Sequence, residues 1–397
     1  MADIKKDQER DELHKAIWAI ADELRGSVDG WDFKSYVLGM MFYRYISENL
    51  TNYINEGEIE AGNEGFDYAQ LSDDEAEQAR EDLVQTKGFF ILPSELFCNV
   101  RKNAAADENL NMTLEAVFNH IEESAKGSES EDNFSGLFDD IDVNSNKLGA
   151  TVAKRNANLV KLMDGIADMQ LGNYKDHSID AFGDAYEYLM SMYASNAGKS
   201  GGEFFTPQEV SELLTRIAVV GKTEVNKVYD PACGSGSLLI RAADEAPCEI
   251  SIYGQEKDNS TAGLARMNLV LHNKGAGVIV GNKSTLSTPQ YKDENNPELL
   301  KTFNYIVVNP PFSDKSWMDG ITIPDSYGRY SETVLGVPPE KNGDYAWLLH
   351  VLKSLKSNGK AAIILPHGVL FRGNAEADIR KKIIDRGYIK GIIGLPA

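Results

Sequence analysis

The tetrapeptide Asn309-Pro310-Pro311-Phe312 has the residue types needed to hold a flat group that carries an NH2. It follows the apolar run Tyr305–Val308, which predicts a buried strand. The Asn309 side-chain oxygen and a neighbouring backbone carbonyl can each accept one amino hydrogen, which turns the nitrogen lone pair toward an electrophile. Phe312 can stack on the ring that bears the amino group. The pattern predicts an amino-group site without a general base or covalent nucleophile; a rigid turn after a strand is the simpler alternative.

A glycine-rich segment upstream predicts a ligand-binding turn. The strand residues Val228-Tyr229 lead into the sequence Asp230-Pro231-Ala232-Cys233-Gly234-Ser235-Gly236-Ser237, and a helical run follows. A strand, a glycine turn and a helix N-terminus let the backbone come close to a ligand and offer unpaired N–H groups. The third glycine of the dinucleotide fingerprint is missing, which argues against a nicotinamide cofactor.

The ends of the next two predicted strands also carry polar side chains. Ile250–Gly254 is followed by Gln255-Glu256, and a carboxylate at this point can accept hydrogen bonds from both hydroxyls of a ribose. The strand Val278–Val280 ends in Gly281-Asn282, and the Asn282 amide suits an adenine edge. Three successive strand ends therefore supply ligand-binding chemistry in chain order.

A further motif, Gly201-Gly202-Glu203-Phe204-Phe205-Thr206-Pro207, lies ahead of the first strand. The two glycines predict a loop. Thr206 and Pro207 predict a helix start, with the threonine as N-cap and the proline in the first turn. An ordinary helix start is an equally good interpretation of this segment on local evidence.

Length and composition define the class of protein. A chain of 397 residues can form two or more domains with substantial cores. It has no long apolar run and no basic-apolar segment at its start, so we expect a soluble, unexported, cytoplasmic protein without a membrane role. Its three cysteines show neither metal-ligand spacing nor a disulfide framework.

The net charge of −21 is unusual for a protein that binds nucleic acid. Residues 1–150 carry 33 acidic and 13 basic side chains, whereas residues 201–397 carry 22 of each. The acidity therefore belongs to the N-terminal part, and the neutral C-terminal part can meet DNA only weakly by itself. We expect a partner to supply the missing positive charge.

The pattern of apolar residues predicts two domains. Residues 7–50 have helical spacing, residues 53–81 are acidic and irregular, and Ala181–Tyr193 predicts another helix. From Gln208 onward strands alternate with helices, which predicts a doubly wound α/β sheet with further strands at Lys360–Leu365 and Tyr388–Ile393. We place the boundary near Asp176, between an N-terminal acidic helical domain (1–175) and a catalytic domain (176–397). The acidic domain is either a solvated accessory domain or a module that docks protein or closes on DNA.

Taken together, these motifs resemble those of the amino-methyltransferases that use S-adenosylmethionine, in which Asn-Pro-Pro-aromatic ends the fourth strand. The resemblance implies that Asn309 and the Pro310 carbonyl hold the target amino group, with Pro311 stiffening the loop and Phe312 stacking. It implies that Asp230 and the loop Gly234, Ser235, Gly236 and Ser237 hold the methionine portion, that Glu256 holds the ribose, and that Asn282 meets the adenine. The residues expected to close over the methionine end are Glu203, Phe204, Phe205, Thr206, Pro207 and Gln208.

The whole chain resembles the modification subunit of type I restriction–modification systems. Gly30–Gly39 and Phe42–Ile46 are similar to its N-terminal helical domain, and the three motifs above to its catalytic motifs. The resemblance implies adenine-N6 methylation of a flipped base in double-stranded DNA. It implies a complex of two modification subunits and one specificity subunit, to which a restriction subunit adds cleavage. Such subunits usually continue beyond Ala397, so a C-terminal helical tail is expected to be missing and the chain to be a fragment.

Other functions remain open at this point. Asn-Pro-Pro-aromatic also serves methylation of RNA guanine-N2 and of protein glutamine, because those targets are NH2 groups on flat frameworks. Cytosine-N4 methylation typically goes with Ser-Pro-Pro. A non-catalytic scaffold that binds the cofactor is the alternative from another class, and the intact Asn309 and Glu256 argue against it.

Overall fold

The computed structural model describes residues 2–24, 30–169, 181–194, 206–221 and 226–395. Contacts within it divide the chain into two compact units. The first contains Met1–Gly198 and Gly263–Ala276, and the second contains Lys199–Ala262 and Gly277–Ala397. The predicted boundary near Asp176 lies outside the described residues, so a division of the chain at that point stays a prediction.

The regular elements of the first unit are helical, in agreement with the predicted all-α character. They are α1 Ala2–Glu23, α2 Gly30–Glu60, α3 Asp73–Ala76, α4 Arg80–Lys87, α5 Phe97–Ala104, α6 Leu110–Ser124, α7 Glu131–Phe134, α8 Val152–Ala167 and α9 Ala181–Ala194. The expectation of irregular chain at residues 53–81 was wrong at both ends, since α2 continues to Glu60 and residues 73–81 are helical. Ile54 packs against the core and so extends the helix beyond the predicted end.

Burial of α2 explains why the first unit holds together. Val37, Leu38 and Met40 are fully buried, so this helix is covered on several sides, as its nearly continuous apolar sequence predicts. Arg44 on α2 donates to the Ile166 and Met169 carbonyls at 2.6 and 2.8 Å, which ties α2 to the C-terminal end of α8.

Two further segments join this core. Helix α9 is attached to α1 by the Arg10–Asp184 ion pair at 3.3 Å and by stacking of His14 on Tyr188 at 4.0 Å between ring centroids. Leu264 and Met267 also belong to the core cluster, which explains why residues 263–276 fall in the first unit although they follow the second unit's glycine-rich motif.

The second unit contains a five-stranded parallel sheet with the strand order β3-β2-β1-β4-β5. The strands are β1 Lys227–Asp230, β2 Ser251–Gln255, β3 Val278–Val280, β4 Phe303–Val308 and β5 Leu355–Ile363, and the helices along this part of the chain are α10 Gln208–Val219, α11 Ser237–Asp244, α12 Asn259–Leu271, α13 Asp344–Lys353 and α14 Ala375–Asp385. This order confirms the doubly wound α/β prediction. From β1 the chain adds β2 and β3 on one side and then β4 and β5 on the other. Open α/β sheets form their ligand crevice at such a reversal, which here lies between β1 and β4.

One predicted strand was wrong. Tyr388–Ile393 has no regular structure, and its apolar side chains are exposed, Ile392 by 65%. The pattern of β-branched residues there favours a strand locally, but a strand also needs a neighbour for its backbone hydrogen bonds, and the described sheet ends at β5. None of the described helices combines the length and the apolarity needed to cross a membrane.

Candidate active site

The strand register brings the predicted residues to one edge of the sheet. Tyr229 pairs with Tyr253 of β2 on one side and with Ile306 of β4 on the other. Because all three strands are parallel, Asp230 at the end of β1 lies at the same edge as Glu256 and Asn309, which directly follow β2 and β4. The order of the strands therefore places the β1 turn between the predicted ribose ligand and the predicted amino-group ligand.

The turn after β1 exposes backbone. Gly234 and Gly236 have positive φ angles of 53° and 77°, a conformation that favours glycine, and a Cβ built on Gly234 would meet nothing within 4 Å. Gly236 is the N-cap residue of α11, so the turn opens directly onto a helix N-terminus. Burial raises the pKa of the Cys233 thiol well above its usual value, which fits a packing residue in this turn better than a nucleophile.

Glu256 ties the end of β2 to this turn. Its two carboxylate oxygens accept hydrogen bonds from the Gly234 N–H at 3.1 Å and from the Asp258 N–H at 3.0 Å. Burial raises the pKa of Glu256. Each oxygen has a second lone pair, so the carboxylate can still accept two hydrogen bonds from a ligand.

Gln255, beside Glu256, is already used by the protein. Its amide donates to the carbonyls of Lys283 and Thr288 and accepts from the Gln290 N–H at 3.0 Å. Gln255 is also fully buried, so of the two polar residues at this strand end Glu256 is the one that a ligand can reach.

Asp230 is a buried carboxyl group with a small set of partners. It accepts one hydrogen bond, from the Ala232 N–H at 2.9 Å. Burial raises the pKa of Asp230 to about 8, and the nearby Glu256 carboxylate adds to that rise. Loss of its proton would be favoured by a cation placed beside it. The residues at this edge thus fit a ligand that combines a positive charge with hydroxyl groups.

Asn309 is held at one end and open at the other. Its amide nitrogen donates to the Thr206 hydroxyl at 3.1 Å, and its amide oxygen is buried with no hydrogen-bond partner among the described residues. Leaving a buried acceptor unpaired costs about 1–3 kcal/mol, so such an atom calls for an explanation. Phe312, three residues later, leaves 41% of its surface exposed. Within the described residues, the loop therefore presents an acceptor without a partner and a partly exposed aromatic ring.

The bond to Asn309 changes the role predicted for Thr206. The N-cap prediction was wrong: α10 begins at Gln208, Pro207 occupies the N-cap position, and no side chain caps the helix. The threonine hydroxyl serves Asn309, a residue 103 positions away along the chain. Local sequence could not indicate this bond, because it depends on where β4 ends.

Other predicted ligands are untested by the geometry. Glu203, Phe204 and Phe205 lie outside the described residues. Asn282 follows β3, is exposed and has a φ of 57°, and its contact with a ligand stays a prediction. Asp344 and Arg372 were not predicted from the sequence. They contact each other, and Asp344 also accepts from the Ser313 N–H in the loop after Phe312.

Two family models match this chain, one in its N-terminal part and one in its C-terminal part. The model of the N-6 DNA methylase family matches residues 177–397, and that of the HsdM N-terminal domain matches residues 13–166. The chain is 44% identical over 406 residues to the type I restriction enzyme MpnII methylase subunit of Mycoplasma pneumoniae, covering 99% of this chain. It is 28% identical over 398 residues to the MjaIX methylase subunit of Methanocaldococcus jannaschii, covering 97%.

A solved structure is similar over nearly the whole chain. It is the crystal structure of the type I restriction-modification system methyltransferase subunit from Streptococcus thermophilus, with a TM-score of 0.78 and 34% sequence identity. The match covers 98% of this chain and 81% of that one. The chain spans 74% and 66% of the lengths of the Mycoplasma and Methanocaldococcus relatives.

Proposed function

This chain belongs to the N-6 DNA methylase family, as a DNA N6-methyltransferase subunit of the type I restriction–modification kind, and we propose that it methylates a flipped adenine with S-adenosylmethionine as donor. The proposal assigns Asn309, Pro310, Pro311 and Phe312 to the target base and the ends of β1 and β2 to the cofactor. Its chemistry is transfer of a methyl group to an exocyclic amino nitrogen.

The Asn309 amide oxygen, which has no hydrogen-bond partner within the described part of the chain, carries this proposal. An exocyclic amino group has two hydrogens, and the Asn309 oxygen would accept one while the Pro310 carbonyl accepts the other. The Thr206 hydroxyl holds the amide nitrogen, and this supports an orientation with the oxygen directed to the base. With both hydrogens engaged, the nitrogen lone pair points out of the base plane toward the donor.

Phe312 would stack on the flipped base. An adenine inside a duplex cannot reach a loop at a sheet edge, so the base must leave the helix, at a cost of a few kcal/mol. Stacking on an aromatic side chain returns about 1–3 kcal/mol for each base. The exposed face of Phe312 is available for this contact.

The residues at β1 and β2 fit S-adenosylmethionine by charge and by donor type. When bound, this group supplies a methyl attached to a positively charged sulfonium. Asp230 would meet the cationic methionine portion beside the Gly234–Ser237 backbone, and Glu256 would accept from the ribose hydroxyls. Asn282 would meet the adenine, and residues 203–208 would close over the methionine end. Orientation of the two reactants supplies much of the rate enhancement in such a transfer.

Partners complete the proposed activity. We propose a cytoplasmic complex with a second modification subunit and a specificity subunit, to which a restriction subunit adds DNA cleavage. The charge distribution supports this division of labour: residues 201–397 carry 22 acidic and 22 basic side chains, too balanced for strong phosphate-driven binding.

The test of the activity is methyl transfer from labelled S-adenosylmethionine to duplex DNA, with and without a co-expressed specificity subunit. We expect N6-methyladenine in the digested product, and RNA and protein substrates serve as matched controls. Label found as N4-methylcytosine, or only in RNA or protein, would contradict the proposed substrate. Cofactor binding without transfer to any substrate would favour the scaffold alternative.

The test of the partnership is a salt series. Each phosphate neutralised steepens the logarithmic salt dependence of DNA affinity by about 0.9. We expect the chain alone to bind random and cognate duplexes weakly and with a shallow slope, and the complex to bind the cognate duplex with a steep slope. Tight, sequence-selective binding by the isolated chain would show that it reads DNA by itself.

A further inference from the structure

The loop that carries Asn309 ends in a strained residue. Ser313, directly after Phe312, has a φ of 53°, in the left-handed region that non-glycine residues rarely adopt. Such a conformation costs about 1 kcal/mol or more and persists only where neighbouring groups enforce it. The reversal at Ser313 redirects the chain just after the residue proposed to stack on the base.

Asp344 enforces this conformation. One oxygen of its carboxylate accepts the Ser313 N–H at 2.7 Å, and the other accepts from the Arg372 guanidinium. Asp344 is the first residue of α13 and only 1% exposed, so its charge is stabilised by the helix N-terminus as well as by the arginine. Hydrogen bonds to an ionised acceptor are about twice as strong as neutral ones.

The N-terminus of α13 is packed closely against the same loop. The Gly343 N–H donates to the Asp314 carbonyl at 2.9 Å. A Cβ on Gly343 would lie 2.8 Å from the Trp317 Cβ, a distance that real side chains do not show. The loop and the helix therefore have one close arrangement, in which Asp344 faces Ser313.

Arg372 is fixed in turn from its other side. It donates to the carboxylate of Glu376, which is 2% exposed, and to the Asn342 side chain at 3.4 Å. The guanidinium thus joins two buried carboxylates, one on α13 and one on α14. A lysine at this position would lack the rigid planar fork that fixes the directions of these two contacts.

We propose that Asp344, oriented by Arg372, is a positioning residue that holds the Asn309–Phe312 loop in the conformation required for methyl transfer. This rests on the proposed function of that loop. Asp344 touches neither the base nor the cofactor in this role. Its contribution is to keep Ser313 reversed, so that the Asn309 oxygen and the Phe312 ring stay directed at one target.

Kinetics of the complex with duplex DNA test the proposal. Asp344→Ala is expected to lower kcat about 10- to 100-fold, the scale of a misplaced reacting group, and to leave cofactor affinity unchanged. Arg372→Gln leaves the hydrogen bond from the Ser313 N–H to Asp344 in place and should lower kcat by a smaller factor. This variant provides the test if Asp344→Ala does not fold. Asp378→Asn, an exposed acid on α14, is the matched control with unchanged kcat.

Two further measurements distinguish positioning from general damage. Adding Ser313→Gly to Asp344→Ala should recover part of kcat, since glycine adopts a positive φ without a Cβ penalty. Amide hydrogen exchange of a peptide covering residues 311–317 should be faster in Asp344→Ala than in the wild-type chain. Normal kcat in Asp344→Ala, unchanged exchange, or no rescue by Ser313→Gly would each overturn the proposal. If the wild-type complex transfers no methyl group, the proposed function fails, and the exchange comparison alone decides the role of Asp344.

Discussion

The loops after β1 and β4 are anchored in the same way but differ in charge balance. In each, a carboxylate accepts a backbone N–H of the loop: Glu256 from Gly234 at 3.1 Å, and Asp344 from Ser313 at 2.7 Å. Asp344 also pairs with Arg372, whereas neither Glu256 nor Asp230 has an ion-pair partner within the described residues.

This difference separates a structural carboxylate from a ligand-binding one. Burial without a cation raises the pKa of both Asp230 and Glu256. Keeping such groups close together costs stability, because each charged form is poorly solvated and repels the other. Asp344 avoids this cost through its arginine. The β1–β2 end of the sheet therefore has buried carboxyl groups that a cation would stabilise in their charged form. The β4 end has a loop whose Asn309 oxygen lacks a hydrogen-bond partner among the described residues.

The largest loss of activity should follow from removing the Asn309 amide oxygen after β4. Asn309→Ala removes the only amide oxygen assigned to the target amino group, and we expect kcat to fall at least about 10²- to 10³-fold, the range seen when one transition-state contact is lost. Cofactor affinity should stay near that of the wild type, because the residue faces the base. Asn295→Ala, an exposed asparagine, is the control. Near-normal turnover of the Asn309 variant would refute the amino-group mechanism.

The next largest effect should be a loss of cofactor affinity when the Glu256 carboxylate after β2 is removed. Glu256→Ala should weaken binding of S-adenosylmethionine by about 1.5–3 kcal/mol, the scale of a lost hydrogen bond to a charged group. Titration calorimetry on the chain without DNA measures it, with the exposed Glu249→Ala as the matched variant. Equal affinity in the two variants would remove Glu256 from the cofactor site.

Loss of the Phe312 ring should slow methyl transfer to DNA and leave binding of the cofactor unchanged. Phe312→Ala is expected to reduce kcat/KM for DNA by about 1–3 kcal/mol of stacking energy, and Phe312→Tyr should restore most of it. Tyr388→Ala removes an aromatic side chain that is 49% exposed elsewhere and should have no effect. Failure of Phe312→Tyr to differ from Phe312→Ala would argue against stacking.

The smallest expected effect is a pH dependence of cofactor affinity that arises from Asp230 at the end of β1. Because burial raises the pKa of Asp230 to about 8, the group is mainly neutral at pH 7 and mainly a carboxylate at pH 9. A cationic ligand favours the carboxylate, so affinity for S-adenosylmethionine should rise about tenfold between these values, as the ionised fraction does. Glu256, Cys233 and Tyr229 face the same group and broaden the transition.

Asp230→Asn is the variant that isolates this dependence. It keeps an acceptor for the Ala232 N–H but cannot ionise, so its affinity should be low and flat over the same range. A wild-type affinity that falls as the pH rises from 7 to 9 would reverse the predicted sign.

Much of the fold was predictable because its determinants are local. Apolar runs flanked by glycine, proline and asparagine predicted β1 to β4, and the strand ends named Asp230, Glu256 and Asn309. The same local logic failed at Tyr388–Ile393, where the pattern favours a strand but no partner strand is described beyond β5. It failed again at Thr206, where a typical N-cap residue bonds Asn309 instead.

The sequence by itself determined which chemical groups stand at the strand ends, since parallel strands that alternate with helices must deliver those ends to one edge. Tertiary structure alone decided which groups remain open to a ligand. Asp344 lies 31 residues from Ser313 and 28 from Arg372, and no periodicity links them. Residues 263–276 joined the helical core for the same reason. Burial and hydrogen bonding arise when distant segments meet. They raise the pKa of Asp230, and they leave the Asn309 oxygen without a partner among the described residues.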